Sequence, residues 1–189
     1  DKTQRINKLA VLIAERLGAD QAMVLDTSRA AVLAKADLVT AMVNEFTELQ
    51  GIMGREYALL SGEKPSVATA VYEHYLPRFA GDALPESLAG RAISIADKID
   101  NIVATFSRGL IPTGSQDPYA LRRQALGIVN TIIAAQYNLS LTEIVAEAAK
   151  LLGISDSDSD KLLNEIYEFF RLRIKNVLSD EEIRYDVID

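Results

Sequence analysis

The sequence has 189 residues, 49% of them hydrophobic, with a formal net charge of -7, no cysteine and one histidine. It is long enough to bury a real core in one large or two small domains, and it excludes disulfides, thiolate catalysis and any site needing two imidazoles. The acidic balance argues against a free-standing, non-specific nucleic-acid binder but leaves room for a local basic patch. No apolar run approaches the ~20 residues that span a bilayer, and Asp1-Lys2-Thr3-Gln4-Arg5 lacks a signal-peptide core, so the expected location is cytoplasmic. The charged opening, and a close soon after a fresh helix start, read as the ends of a piece of a longer protein.

Apolar residues recur at three-to-four spacing almost throughout, which predicts an all-α fold. Ile6, Leu9, Ala10, Ile13 and Leu17 outline a first helix stopped at Gly18. Asp26 or Thr27 is the expected cap of a second helix through Val32, Leu33, Ala36, Val39 and Val43. A third carries Phe46, Leu49, Met53, Tyr57 and Leu60 before Gly62. Pro65 opens a short helix with Val67, Val71 and His74 that ends before Pro77. After a loop with Gly81 and Pro85, Glu86 to about Phe106 reads as a long helix with a broad apolar face.

The stretch from Gly109 to Arg123 combines a specified loop with a helix start. Pro112 and Gly114 restrict and then release the backbone, Asp117 is the expected N-cap, and Pro118 fits the first position of a helix running to about Gln136. Ser140-Leu141-Thr142-Glu143 has capping-box spacing and starts a short helix ending at Gly153. Asp158 to Leu178 is a further helix, after which Ser179-Asp180-Glu181-Glu182 repeats the capping-box pattern. The loop between Gly109 and Asp117 is the clearest boundary, giving expected domains over 1–110 and 111–189.

Candidate chemistry is sparse. Asp156-Ser157-Asp158-Ser159-Asp160 opens like a calcium loop, but Lys161 and Tyr167 stand where that loop needs Gly and Glu. The glycines at 51, 54 and 62 match no nucleotide-binding fingerprint. His74 is either a lone base or, the preferred reading, a packed or capping histidine near a helix end. Asp97 and Asp100 are expected to pair with Lys98, Arg91 or other nearby cations. Arg122 and Arg123 differ by about 100° of helical rotation, so only one can face a given partner. With Arg108 nearby they are the candidate phosphate or subunit contacts, and Arg171, Arg173 and Lys175 extend a possible basic track. Solvated helix surface and a buried ion pair are the competing readings.

Leu33-Ala34-Lys35-Ala36-Asp37-Leu38, then His74, then Ala96-Asp97-Lys98-Ile99-Asp100 resemble, in helix order, the HD phosphohydrolase superfamily over roughly the first hundred and ten residues. The resemblance implies an HD-like helical bundle followed by additional packed helices. Its signature is broken: Ala36-Asp37 replaces the His-Asp pair, and Lys2 or a neighbour stands at the earlier histidine position. Asp37, His74 and Asp97 are then degenerate remnants, too few to hold a metal beside a cation. The rival expectation is a working metal-dependent phosphohydrolase built on those three residues.

Four further segments resemble the β-subunit family of the bacterial tetrameric glycyl-tRNA synthetase: Lys35-Ala36-Asp37-Leu38-Val39-Thr40, Glu45 through Gly54, Glu73-His74-Tyr75-Leu76-Pro77, and Gly109 through Arg123. The resemblance spans nearly the whole chain and implies a central piece of that subunit. It implies partners in tRNA(Gly), the α subunit and the rest of the β subunit, within a heterotetramer. The role implied is to bind and orient tRNA(Gly) for ATP-dependent glycylation at the α-subunit site. ATP and Mg serve the whole enzyme in that reading, with no cofactor and no catalytic or metal site in this chain. Ile183 to Asp189 would lead into an anticodon-binding region. A purely structural scaffold contacting other subunits is the remaining alternative.

Overall fold

A computed structural model describes residues 1–180, apart from the side chains at 156–158 and 180. Among the described residues all regular structure is helical, and the fold is all-α. The chain separates into two units, Asp1–Asp100 and Asn101 onward, which meet inside one helix.

The first unit holds α1 (Lys2–Arg16), α2 (Gln21–Leu33), a 3-10 turn (Ala36–Val39), α3 (Ala41–Glu45), a second 3-10 turn (Thr47–Leu49), α4 (Ile52–Leu60), α5 (Pro65–Glu73) and most of α6 (Leu88–Phe106). α1 buries Ile6, Leu9, Ala10, Ile13 and Ala14, and α2 meets it with Thr27, Ala30 and Ala31, whose small side chains allow close approach. α5 packs on α2 and α4, burying Val67, Ala68, Ala70 and Val71.

Three expectations change here, one being that Phe46 and Leu49 stand before α4 and outside the helix that carries Met53, Tyr57 and Leu60. α2 is capped by Asp20, whose carboxylate accepts from Met23 N at 2.8 Å, so Asp26 and Thr27 lie inside the helix. Asp26 instead accepts from Lys64 and Ser66, and the Thr27 hydroxyl donates to the Met23 carbonyl. The helix also stops at Leu33 rather than running to Val43. Thr40 restarts it by capping α3 at Val43 N, and Gly51, at φ +81°, turns the chain into α4. His74 is the C-cap of α5, close to the cis Leu76–Pro77 bond.

The second unit contains the end of α6, then α7 (Leu121–Ala134), α8 (Leu141–Leu151) and α9 (Asp156–Asp180), with α7 and α8 both packed on α9. Its core joins Leu121, Ile128 and Val129 to Ile144, Val145, Leu162, Ile166, Phe169 and Phe170. Phe106 meets Phe169 edge-on at 5.0 Å. Ser140 caps α8 through Glu143 N, as its spacing predicts.

The helix start near Pro118 is corrected. Asp117-Pro118-Tyr119-Ala120 forms a turn closed by Ala120 N to Asp117 O at 3.0 Å, with Pro118 at its second position, and Ala120 takes a left-handed φ of +53°. α7 therefore begins at Leu121, which puts Arg122 and Arg123 in its first turn. Asp117 still caps, from four residues back: its two oxygens accept from Leu121 N at 2.8 Å and Arg122 N at 2.9 Å. α9 continues through Ser179, whose hydroxyl donates to the Lys175 carbonyl, so no new helix starts there. Glu181, Glu182 and the segment Ile183 to Asp189 lie outside the described residues.

Candidate functional site

Ala92 to Asp100 of α6 are all buried, including Asp97, Lys98 and Asp100. Buried charges must be paired or neutralised, so this stretch organises its surroundings. Asp97 and Asp100 share one helix face, and Lys2 and Arg5 on α1 have the same three-residue spacing. Lys2 Nζ lies 3.1 Å from Asp97 Oδ1, while Arg5 grips Asp100 with bonds of 2.7 and 3.1 Å. The expected partners Lys98 and Arg91 are thus replaced by cations about ninety positions away in sequence, which helix periodicity cannot reveal.

Lys35 completes the arrangement, with Nζ 2.7 Å from Asp97 Oδ2. Burial alone would raise the Asp97 pKa, but Lys35 and Lys2 outweigh it and hold the carboxyl well below the usual carboxylate range. Burial lowers the Lys35 pKa while Asp97 opposes that shift. Lys35 also sits 4.4 Å over the Tyr75 ring. The Tyr75 hydroxyl donates to Asp37 Oδ1 at 3.3 Å, and burial followed by the Asp37 charge pushes the phenol pKa up. Asp37 Oδ2 accepts from Gly51 N at 2.6 Å, which places its charge at the start of α4.

His74 is fully buried. Its Nδ1 lies 2.5 Å from the Val71 carbonyl, so that nitrogen carries the proton of the neutral ring, and Nε2 has no hydrogen-bond partner among the described residues. Burial, then Lys35, lowers its pKa well below the ordinary value, and the ring is neutral at pH 7. Lys98 points elsewhere, donating to Leu76 O at 2.8 Å and Ser94 Oγ at 2.7 Å, and burial brings its pKa down to about 8.

Glu73 has no counterpart among the sequence-derived candidates. Its buried carboxylate accepts from Glu86 N, Ser87 N and the Ser87 hydroxyl, and Ser87 Oγ in turn accepts from Gly90 N, building the start of α6. A Cβ at Gly90 would overlap Glu73 Oε2 and come within 2.6 Å of Glu73 Cβ. An unexplained glycine inside a strongly helical stretch was the signal available in the sequence.

Asp37, His74 and Asp97 are therefore brought into one cluster, but they do not fit a divalent cation. Asp97 is held by two ammonium groups, and both Asp37 oxygens are engaged. Among the described residues no three His, Asp or Glu side chains converge as ligands. A nearby cleft lined by Arg29, Asp37, Thr40, Tyr57 and Glu63 offers no unspent cation, because Arg29 is bound through two nitrogens to Glu63.

The other candidates lie in the second unit. Arg108 and Arg123 are exposed and Arg122 is half-buried, and none has an ion-pair partner among the described residues. Arg171 is paired with Glu168 at 2.9 Å. Arg173 is half-buried, 3.8 Å over the Phe169 ring, with Nη1 donating to the Phe169 carbonyl at 2.8 Å. Among the described residues no helix is long and apolar enough to cross a membrane.

Comparison with known proteins covers the whole chain. Residues 1–189 match the family model described as glycyl-tRNA synthetase beta subunit. The chain is 54% identical to a glycine–tRNA ligase beta subunit of Desulforamulus reducens over 192 aligned residues, covering all of this chain and 28% of the relative. The corresponding subunits of Halothermothrix orenii and Clostridioides difficile are 52% and 50% identical, each match covering all of this chain and 27% of the relative. The chain thus spans little more than a quarter of the length of these curated relatives.

Proposed function

The chain belongs to the glycyl-tRNA synthetase β-subunit family, and on that premise we propose that it helps bind and orient tRNA(Gly) while glycylation proceeds at a site on the α subunit. The observation that carries this reading is the division of charge between the units. In the first unit Lys2, Arg5 and Lys35 are spent on buried carboxylates, which makes the cluster a structural junction. In the second, Arg108, Arg122 and Arg123 have no carboxylate partner among the described residues and are available to an external anion.

The first unit is then a degenerate HD-like bundle in which two ammonium groups balance Asp97. No proton transfer or nucleophile is assigned to it: His74 is sealed from solvent and the carboxylates are committed to amides and cations. The implied ATP and Mg belong to the whole cytoplasmic enzyme, an assembly of α and β subunits. Within it this segment positions RNA and links parts of the β chain.

Reconstitution of glycylation from the α subunit and a full-length β subunit, with and without this segment, tests the reading. Loss of tRNA charging with both subunits still assembled supports a role in tRNA handling. Undiminished charging without the segment overturns it.

A further inference from the structure

The cleft beside Asp37 in the first unit has a volume of about 540 Å³, within the range that seats a ligand or a partner's side chains. Its apolar wall comes from Leu33 at the end of α2, Ala36 in the first 3-10 turn, and Tyr57, Ala58 and Leu60 of α4. The apolar character continues onto the chain neighbours of these residues. Val39 and Leu60 are each 84% exposed, and Val32, Leu38, Met42 and Leu59 are exposed as well. Single exposed aliphatic side chains are ordinary, but these are grouped in the same two stretches of chain that line the cleft, and such a patch marks an interface.

The charged groups of the cleft, and Thr40, are already engaged. Arg29 is bound to Glu63, and the Asp37 carboxylate accepts from Gly51 N and the Tyr75 hydroxyl. The Thr40 hydroxyl donates to the Asp37 carbonyl and accepts from Val43 N. No cation is left for a phosphate and no carboxylate for a basic peptide, so the surface fits a neutral apolar guest and not RNA. The stretch matched by this chain is 28% of the Desulforamulus reducens subunit, so most of that polypeptide lies outside it. A segment of the same polypeptide meets the cleft at high effective concentration and can cover it permanently, as a patch this apolar requires. We propose that the cleft seats an apolar, uncharged segment from the remainder of the β subunit, which packs aliphatic side chains against Leu33, Ala36 and Leu60. The proposal rests on the reading of this chain as a link between parts of the β subunit, and it is independent of the tRNA contacts assigned to the second unit.

Hydrogen exchange read by mass spectrometry tests it, on the full-length β subunit and on the 189-residue chain, each with and without Val39→Glu or Leu60→Glu. Peptides covering residues 36–42 and 57–61 should exchange roughly ten-fold more slowly in the full-length subunit than in the 189-residue chain. Each substitution should remove that difference in the full-length subunit. Neither should change the Tm or the exchange of the 189-residue chain, because both side chains already face solvent there. Equal exchange in the two unsubstituted proteins, or protection that survives both substitutions, would overturn the proposal. Protection that appears only when the α subunit or a tRNA(Gly) transcript is added would overturn it in favour of that partner. Protection of the 189-residue chain that grows with its own concentration would overturn it in favour of a second copy. Each of these results leaves the tRNA reading to stand or fall on the second unit's arginines.

Discussion

Lys35 Nζ and Asp97 Oδ2 stand 2.7 Å apart across 62 sequence positions, and that bond places a buried negative charge between two ammonium groups. Lys35→Met should therefore destabilise the protein by about 3 kcal/mol, because Asp97 stays buried with Lys2 alone. Adding Asp97→Leu should recover much of that loss. Urea melts of the two single variants and the double variant give the coupling energy directly. Asp97 has a depressed folded pKa, so its contribution is present above the unfolded value of about 3.9 and is lost as pH falls below it. Lys35→Met should shrink that acid-side loss.

His74 gives a separate pH signature. Its folded pKa lies well below the ordinary value, so below about pH 6.5 the unfolded chain takes up a proton that the native ring refuses. Stability should fall with decreasing pH in that window, by up to about 1.4 kcal/mol per pH unit. His74→Gln should flatten the dependence between pH 7 and about pH 5. Denaturation midpoints measured across that range decide it.

Lys98 acts on the alkaline side. Its folded pKa of about 8 lies below the unfolded value of about 10.4, so the unfolded chain binds the extra proton between them and this residue's contribution to stability rises with pH. Tyr75 acts in the opposite direction from about pH 10, because its raised pKa keeps a proton that the unfolded phenol releases. The useful window is therefore about pH 8 to 9.5. There, the dependence should be weaker in Lys98→Met than in the unsubstituted protein, as read from urea melts.

Gly90→Ala should cost about 3 kcal/mol, since the new methyl group has to displace the Glu73 carboxylate from the start of α6. Glu73→Ala made alongside it should cost less than the sum of the two single changes, because the obstructing carboxylate has gone. Thermal melts of the three variants test this non-additivity.

The helices were legible in the sequence wherever an apolar stripe and its cap agreed. α1, α6 and α8 show this, with Ile6 to Ile13, Ile93 to Val103 and Ser140 marking them. α2 was misplaced because Asp26 looks like a cap, and its real task, accepting from Lys64 and Ser66, is tertiary. The break after Leu33 was hidden for a related reason: Asp37 is pulled toward Gly51 N, a bond 14 positions long. Asp37, His74 and Asp97 stood out as a set by their order along the chain. What each one does depends on Lys2, Lys35, Tyr75 and Gly51, brought in by packing, and no local period encodes those pairings. The start of α7 shows the same limit: Asp117 was recognisable as a cap, but the left-handed Ala120 that lets it reach forward to Leu121 N was not.

Steady-state glycylation by the reconstituted ligase, comparing the unsubstituted β subunit with one carrying Arg108→Gln, Arg122→Gln and Arg123→Gln together, addresses the central claim. The KM for tRNA(Gly) should rise several-fold while kcat and the KM values for glycine and ATP hold, as expected for groups that bind RNA without touching the reacting atoms. An unchanged KM for tRNA(Gly) in a fully assembled enzyme would contradict the claim that this segment helps hold the tRNA.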